Sequence, residues 1–180
     1  MKAGAVNTAD QSHEENAFVR TAVERHQAPL LRYATRLLHG DVERARDVVQ
    51  DTFVRLLAQS PAEVGDHLAE WLFTVCRNRT LDILRKEGRM KLFTEGQAER
   101  IAAAEPRPGA ALERAETQHA VLRLIGRLPP NQQEVIRLKF QNGFSYKEIS
   151  RITSLSVGNV GFLIHTAVTR LRQELAAQAD

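Results

Sequence analysis

The sequence holds one cysteine, one tryptophan and no long apolar run, and each shortage removes a class of protein. Cys76 stands alone, so no intrachain disulfide forms. The histidines (His13, His26, His39, His67, His119 and His165) have no second soft ligand at zinc-like spacing, so no structural metal is expected. No paired carboxylates, nucleophile–base set or phosphate-cradling glycine loop stands out, so neither enzyme activity nor a cofactor is expected. The opening MKAGAVNTADQSHEEN lacks an apolar run after its lysine, which predicts a solvated, disordered tail over 1–16 instead of a signal peptide, in a cytoplasmic chain. Strand signals are scarce too: no sustained period of two appears, and Asn142-Gly143 lies between helical patterns.

What is present is helix. The 180 residues are 43% apolar, enough for one ordinary domain or two small ones, and a net charge of +3 permits contact with nucleic acid without requiring it. Apolar spacings of three and four run through about 17–39, 41–59, 66–87, 113–127, 130–141, 145–153 and 156–175. Between them MKLFTEGQAERIAAAEPRPGAAL breaks the pattern, with Pro106 and Pro108 around Arg107. The expected fold is all-α: two small helical domains, 17–90 and 113–177, joined by a flexible linker over 91–112.

Residues 152–169, ITSLSVGNVGFLIHTAVT, contain no Lys, Arg, Asp or Glu in a chain that is 26% charged. Two glycines and polar side chains from Thr153 to Thr169 argue against a membrane span. Local signals place a turn and a helix there instead. Pro130 suits the start of one helix and Gln141-Asn142-Gly143 its end. Ser145 and Glu148 form a capping box for the next, with Ile149 and Ile152 facing inward, and Ser156 caps a last helix. This is the layout of a helix-turn-helix, for which a helical hairpin without a DNA role is the alternative. On the last helix Val157, Val160, Ile164, Val168, Leu171 and Leu175 form the expected inner stripe. Asn159, Phe162, His165, Thr166 and Thr169 form the outer one. Phe162 is the misfit there, suited to a neighbouring helix, to thymine methyls or to a protein partner.

The missing charge gathers in WLFTVCRNRTLDILRKEGRMK, where six basic residues from Trp71 to Lys91 face two acidic ones. Leu72, Val75, Ile83 and Leu84 suit a core, while Arg79, Asp82 and Lys86 share an outer stripe. Such a helix either tracks a single nucleic-acid strand or is a solvated amphipathic helix. In DVERARDVVQDTFVRLLAQ an inner stripe of Val42, Ala45, Val49, Phe53 and Leu56 leaves Asp47, Gln50, Asp51 and Arg55 outside. That mixed face suits a protein partner better than DNA, because carboxylates repel phosphates.

Taken in order, DVVQDTF, WLFTVCRNRTLDILRK, a linker and LPPNQQEVIRLKFQNGFSYKEISRITSLSVGNV, the chain resembles bacterial sigma-70-type initiation factors of the extracytoplasmic-function subgroup, over about 17–175. The resemblance implies sigma domain 2 and sigma domain 4. Its implied partners are core RNA polymerase (β′ clamp helices and β subunit) and promoter DNA, with no membrane insertion expected. Two small domains on a linker can fold onto each other or around an anti-sigma factor, so either interdomain contacts or that partner is expected to hold the chain inactive. The resemblance assigns Asp47, Gln50, Asp51 and Arg55 to the clamp helices. Trp71, Arg77, Asn78, Arg79, Arg85 and Lys86 go to the promoter −10 element, and the linker to the polymerase active-site and RNA-exit channel. Ser156, Asn159, Phe162, His165, Thr166 and Arg170 go to the −35 element. Relatives commonly read SVGTVKSRLHRARKRLR, with basic residues where this chain has Gly161, Leu163 and Thr166, and with Ala and Gly in place of Ser150 and Ser154. A helix-turn-helix regulator acting as a dimer, and an adaptor with weakened DNA binding, are the competing functions.

Overall fold

A computed structural model describes residues 8–88 and 120–177, so the linker expected over 91–112 lies outside the described residues, as do 1–7 of the tail. Among the described residues every regular element is a helix, in two compact units, Met1–Ile83 and Leu84–Asp180. The first elements are α1 (Thr8–Leu37), α2 (Val42–Leu56), the single turn α3 (Pro61–Val64), a 3-10 turn (Gly65–His67) and α4 (Leu68–Lys86). After a helical stretch over 120–125 come α5 (Pro130–Phe140), α6 (Tyr146–Thr153) and α7 (Val157–Ala176).

One correction falls on the N-terminus. Helix α1 begins at Thr8, so residues 8–16, expected as unstructured tail, extend the helix. The helix also runs through Pro29, which lacks the N–H that would bond the Arg25 carbonyl. Ala22 on one side of it and Leu30, Tyr33 and Ala34 on the other are buried, and that burial outweighs one lost bond. His39 and Gly40, both at positive φ, close the helix, with the Gly40 N–H donating to the Thr35 carbonyl at 2.8 Å. Asp41 then caps α2, accepting from the Arg44 N–H at 3.1 Å.

The buried face of α2 is Ala45, Val48, Val49, Thr52 and Leu56. Val42, expected inside, is exposed, and Phe53 is half-buried. Apolar identity misplaces this face because Thr52 occupies its centre. Its hydroxyl donates to the Val48 carbonyl at 2.8 Å, which removes most of the penalty for burying it. Helix α4 repeats the device. Its buried residues are Glu70, Leu72, Phe73, Cys76, Thr80 and Leu84, with the Thr80 hydroxyl on the Cys76 carbonyl at 2.8 Å, while Val75 and Ile83, expected inside, are half-buried. The Tyr33 and Phe73 rings meet at 5.1 Å between centroids and join α4 to α1.

In the C-terminal unit α7 packs against both α5 and α6. Val135, Ile136 and Leu138 of α5 are buried, and the Gln133 amide donates to the Leu128 carbonyl at 2.8 Å, tying the preceding turn to α5. Gly143, at φ 77°, turns the chain so that the Asn142 and Phe144 amides donate back to Arg137 and Leu138. The inner face of α7 is Val160, Leu163, Ile164 and Ala167, so the expected stripe is corrected. Val157 is exposed, and Val168, Leu171 and Leu175 are half-buried.

Gly161 lies mid-helix, and a Cβ there would sit 3.6 Å from the Tyr146 Cε2, an ordinary contact distance. Gly161→Ala is therefore expected to stabilise the C-terminal unit by about 0.5–1 kcal/mol through helix propensity. Scanning calorimetry of the full chain checks this, with Gly158→Ala, which meets nothing within 4 Å, as the reference.

Candidate nucleic-acid interface

Helices α6 and α7 meet at 105° across a three-residue turn, within the range of a helix-turn-helix. Serine and threonine hydroxyls build the corner. Ser145 accepts from the Glu148 N–H at 3.3 Å while Glu148 Oε2 accepts from the Ser145 N–H at 2.7 Å, so the capping box closes in both directions. The Ser150 hydroxyl donates to the Leu155 carbonyl at 2.5 Å, and Thr153 Oγ1 donates to Ile149 at 2.6 Å. Ser154 takes the left-handed conformation at φ 61°, and Ser156 caps α7 by accepting from the Asn159 N–H at 3.2 Å. Ser150 thus has a job that an alanine does not do, whereas Ser154 holds a conformation that glycine adopts without strain.

With Val160, Leu163, Ile164 and Ala167 inside, Asn159, Phe162, His165 and Thr169 are exposed and Thr166 half-buried beside them. Phe162 is 65% exposed, so packing against a neighbouring helix of this unit does not account for it. Leu163 is buried, which takes that position off the outer surface where relatives carry a basic residue. Ser156 spends its oxygen on the cap, and Arg170, further along, is paired with Glu174 at 3.1 Å. Lys139 Nζ stands 5.5 Å from the Tyr146 ring centroid, placing a cation and an aromatic ring on α5 and α6 next to Gly161.

On α4, Trp71, Asn78 and Arg85 recur at steps of seven and so share a face, with Asn78 and Arg85 exposed and Trp71 half-buried. Lys86 is exposed and Arg79 lies on the flank of that face. Arg77 and Arg79 are each about 100° from Asn78 in helix rotation and each half-buried, so they flank that face on its two sides.

On α2 the expected polar face is present, with Asp47, Gln50 and Arg55 exposed and Asp51 partly so. Asp51 Oδ2 accepts from Arg55 Nε at 3.2 Å and forms an ion pair with Arg79 Nε at 3.3 Å. The structure adds residues that the periodicity hid. Beside Gln50, an open groove of about 440 Å³ between α1 and α2 is lined by Val19, Leu31, Val49, Phe53, Val54 and Leu57. Val54 and Leu57 are 55% and 63% exposed, so α2 presents an apolar strip next to its polar one. Val54 falls off the stripe of Ala45 and Val49, whereas Leu57 continues its steps of four past Phe53 and is exposed all the same.

Cys76 is buried, and burial pushes its thiol up to about 12, with hydrogen bonds involving Thr52 and Thr80 opposing only part of the shift. A thiol of that kind is not a ready nucleophile or redox sensor.

Residues 22–90 match the family model of Sigma-70 region 2, and residues 118–171 that of Sigma-70, region 4. The chain is 33% identical over 150 residues to the ECF RNA polymerase sigma factor EcfG of Rhodopseudomonas palustris, covering 83% of this chain and 78% of that one. It is 31% identical over 164 residues to the ECF RNA polymerase sigma factor SigL of Mycobacterium tuberculosis, covering 89% and 90% respectively. Among solved structures, the sigma factor RpoE in complex with the anti-sigma factor NepR from Bartonella quintana is similar, with a TM-score of 0.65 and 26% identity over 87% of this chain and 96% of that one. The chain belongs to the extracytoplasmic-function group of the sigma-70 family of RNA polymerase sigma factors. Proteins of this family are transcription initiation factors. Among the described residues no single helix is long and apolar enough to cross a membrane; α6 and α7 reach that apolarity only jointly, across their bend.

The Glu148 carboxyl is held below its ordinary 4.5 by the hydroxyl and backbone N–H of Ser145. A lowered carboxylate stabilises the fold fully above its unfolded pKa, and the contribution fades as pH falls from there through the lowered folded value. Acid titration of the C-terminal unit's melting temperature is therefore expected to show a loss below about pH 4.5 that Glu148→Gln removes.

Proposed function

We propose that this chain directs core RNA polymerase to promoters by two separate DNA contacts, with residues 17–90 acting as sigma domain 2 and 113–177 as sigma domain 4. The observation that carries the reading is the order of surfaces along one chain: a polar and apolar docking face on α2, a basic face on α4, and a helix-turn-helix with its outer stripe bare. A helix-turn-helix regulator needs only the last of these.

In this reading Asp47, Gln50, Asp51 and Arg55 meet the β′ clamp helices, and Phe53, Val54 and Leu57 supply the apolar part of the same interface. Trp71, Asn78, Arg79, Arg85 and Lys86 hold the −10 strand, cations on phosphates and the ring and amide beside unstacked bases. Arg77 reaches the same strand from the other flank of the helix. No bond-making group is needed here, because opening DNA consumes binding energy and RNA synthesis belongs to polymerase. A chain with these partners works in the cytoplasm, and the likeness to a sigma factor held by an anti-sigma factor supports a protein inhibitor for this one as well.

Core enzyme supplemented with the purified chain is expected to start transcription at defined promoters. A chain that binds duplex DNA alone as a dimer and never binds core enzyme would overturn the reading. Within the −35 element, Phe162 is assigned to a thymine methyl, the apolar feature of the major groove. Replacing single thymines by deoxyuridine is expected to weaken holoenzyme binding about tenfold at one position, on the order of one apolar base contact, and Phe162→Ala to abolish that sensitivity. If Phe162→Ala leaves promoter use intact but dissolves a complex with another protein, the adaptor function is favoured.

A further inference from the structure

The carboxylate of Asp51 stands between two surfaces that have different partners. One oxygen, Oδ2, accepts from Arg55 Nε on its own helix at 3.2 Å and forms an ion pair with Arg79 Nε on α4 at 3.3 Å. The side chains of Asp51 and Arg79 are each little more than one-third exposed, so both are within reach of a partner that docks over them. We propose that Asp51 masks Arg79 in the free sigma factor. The inference rests on the assignment of α2 to polymerase and α4 to DNA. The carboxylate engages a guanidinium that a phosphate would otherwise take, and its charge repels the approaching strand. Docking of α2 on polymerase draws on the same carboxylate and hands Arg79 to DNA. The coupling runs both ways: whatever polymerase docking adds to DNA affinity, DNA adds to polymerase docking.

Because the pair is partly solvated, the mask is graded, worth about twofold to fivefold in affinity. Asp47 supplies the comparison. It is another carboxylate on α2, one turn before Asp51, and exposed, so Asp47→Asn removes the same charge without releasing Arg79.

The test uses the full chain without polymerase and a short fluorescent mixed-sequence single-stranded DNA, titrated at several low salt concentrations. Asp51→Asn is expected to bind about twofold to fivefold more tightly than wild type and with a steeper salt dependence, and Asp47→Asn to gain less. In an Arg79→Ala background the gain from Asp51→Asn falls to that of Asp47→Asn. Equal gains from the two carboxylate variants, a gain that survives Arg79→Ala, or no binding by Asp51→Asn at the lowest salt would each overturn the mask. Holoenzyme assembled with Arg79→Ala separates the two levels of failure. If it holds promoter DNA as well as wild type, the assignment of Arg79 to DNA fails and the mask with it. If it holds DNA less well while Asp51→Asn gains nothing over Asp47→Asn, the mask alone fails.

Discussion

Burial of Val160, Leu163, Ile164 and Ala167 against α5 and α6 fixes the rotation of α7, and with it the side chains that the C-terminal unit presents to DNA. Each large aliphatic residue of that stripe is worth about 1.5–3 kcal/mol when taken out of water, whereas caps and surface pairs contribute about 1 kcal/mol or less. The inner stripe therefore decides the fold and the outer one is free to vary in chemistry. Helix α7 carries no charge from Val157 to Thr169 and still keeps a continuous inner stripe. What fixes the start of α7 is equally independent of that face: Ser150, Thr153 and Ser156 make the corner with hydroxyls that point back to the backbone.

The N-terminal unit solves a related problem with threonine. Thr52 and Thr80 are fully buried, near the small Cys76, and each returns its hydroxyl to its own helix. A hydrogen bond between Thr52 and Cys76 links α2 to α4. At the edge of that contact Asp51 and Arg79 come within 3.3 Å. The ion pair joins the polar face of α2 to the basic helix α4.

Much of this was legible in the residues, and what was not has physical causes. The capping box at Ser145–Glu148, Pro130 at the start of α5 and the cap at Ser156 are local, depend on neighbours within four positions, and stand where the spelling puts them. Inner faces were legible only where the apolar residues were also the buried ones. Thr52 and Thr80 hid the centres of two faces, because a hydroxyl bonded to its own helix behaves in a core almost as an apolar group does. Val42 and Val157 misled for the opposite reason: each opens its helix, where burial fails to reach. Leu163 fell in neither stripe of α7, although it is buried. The Asp51–Arg79 pair was not legible at all, since nothing in a periodicity brings residues of two helices together.

An uncharged recognition face changes how promoter binding is composed. Phosphate contacts raise affinity for every sequence alike, whereas base contacts raise it for one, so removing the first lowers binding without lowering discrimination. Asn159 and Thr166 retain hydrogen-bonding capacity and Phe162 an apolar contact, which are the means by which bases are told apart in the major groove. The missing affinity need not be restored within this unit. Once the other unit is held on polymerase and on the −10 strand, the helix-turn-helix searches its target at a high effective concentration, and a weak intrinsic contact suffices. The same helix on its own, lacking the electrostatic attraction that makes basic helices bind DNA indiscriminately, stays off it. The bare face of α7 and the pairing of Arg79 with Asp51 therefore act in the same direction. Each lowers the affinity of the free chain for DNA and leaves the affinity of the assembled holoenzyme to be set by contacts made together.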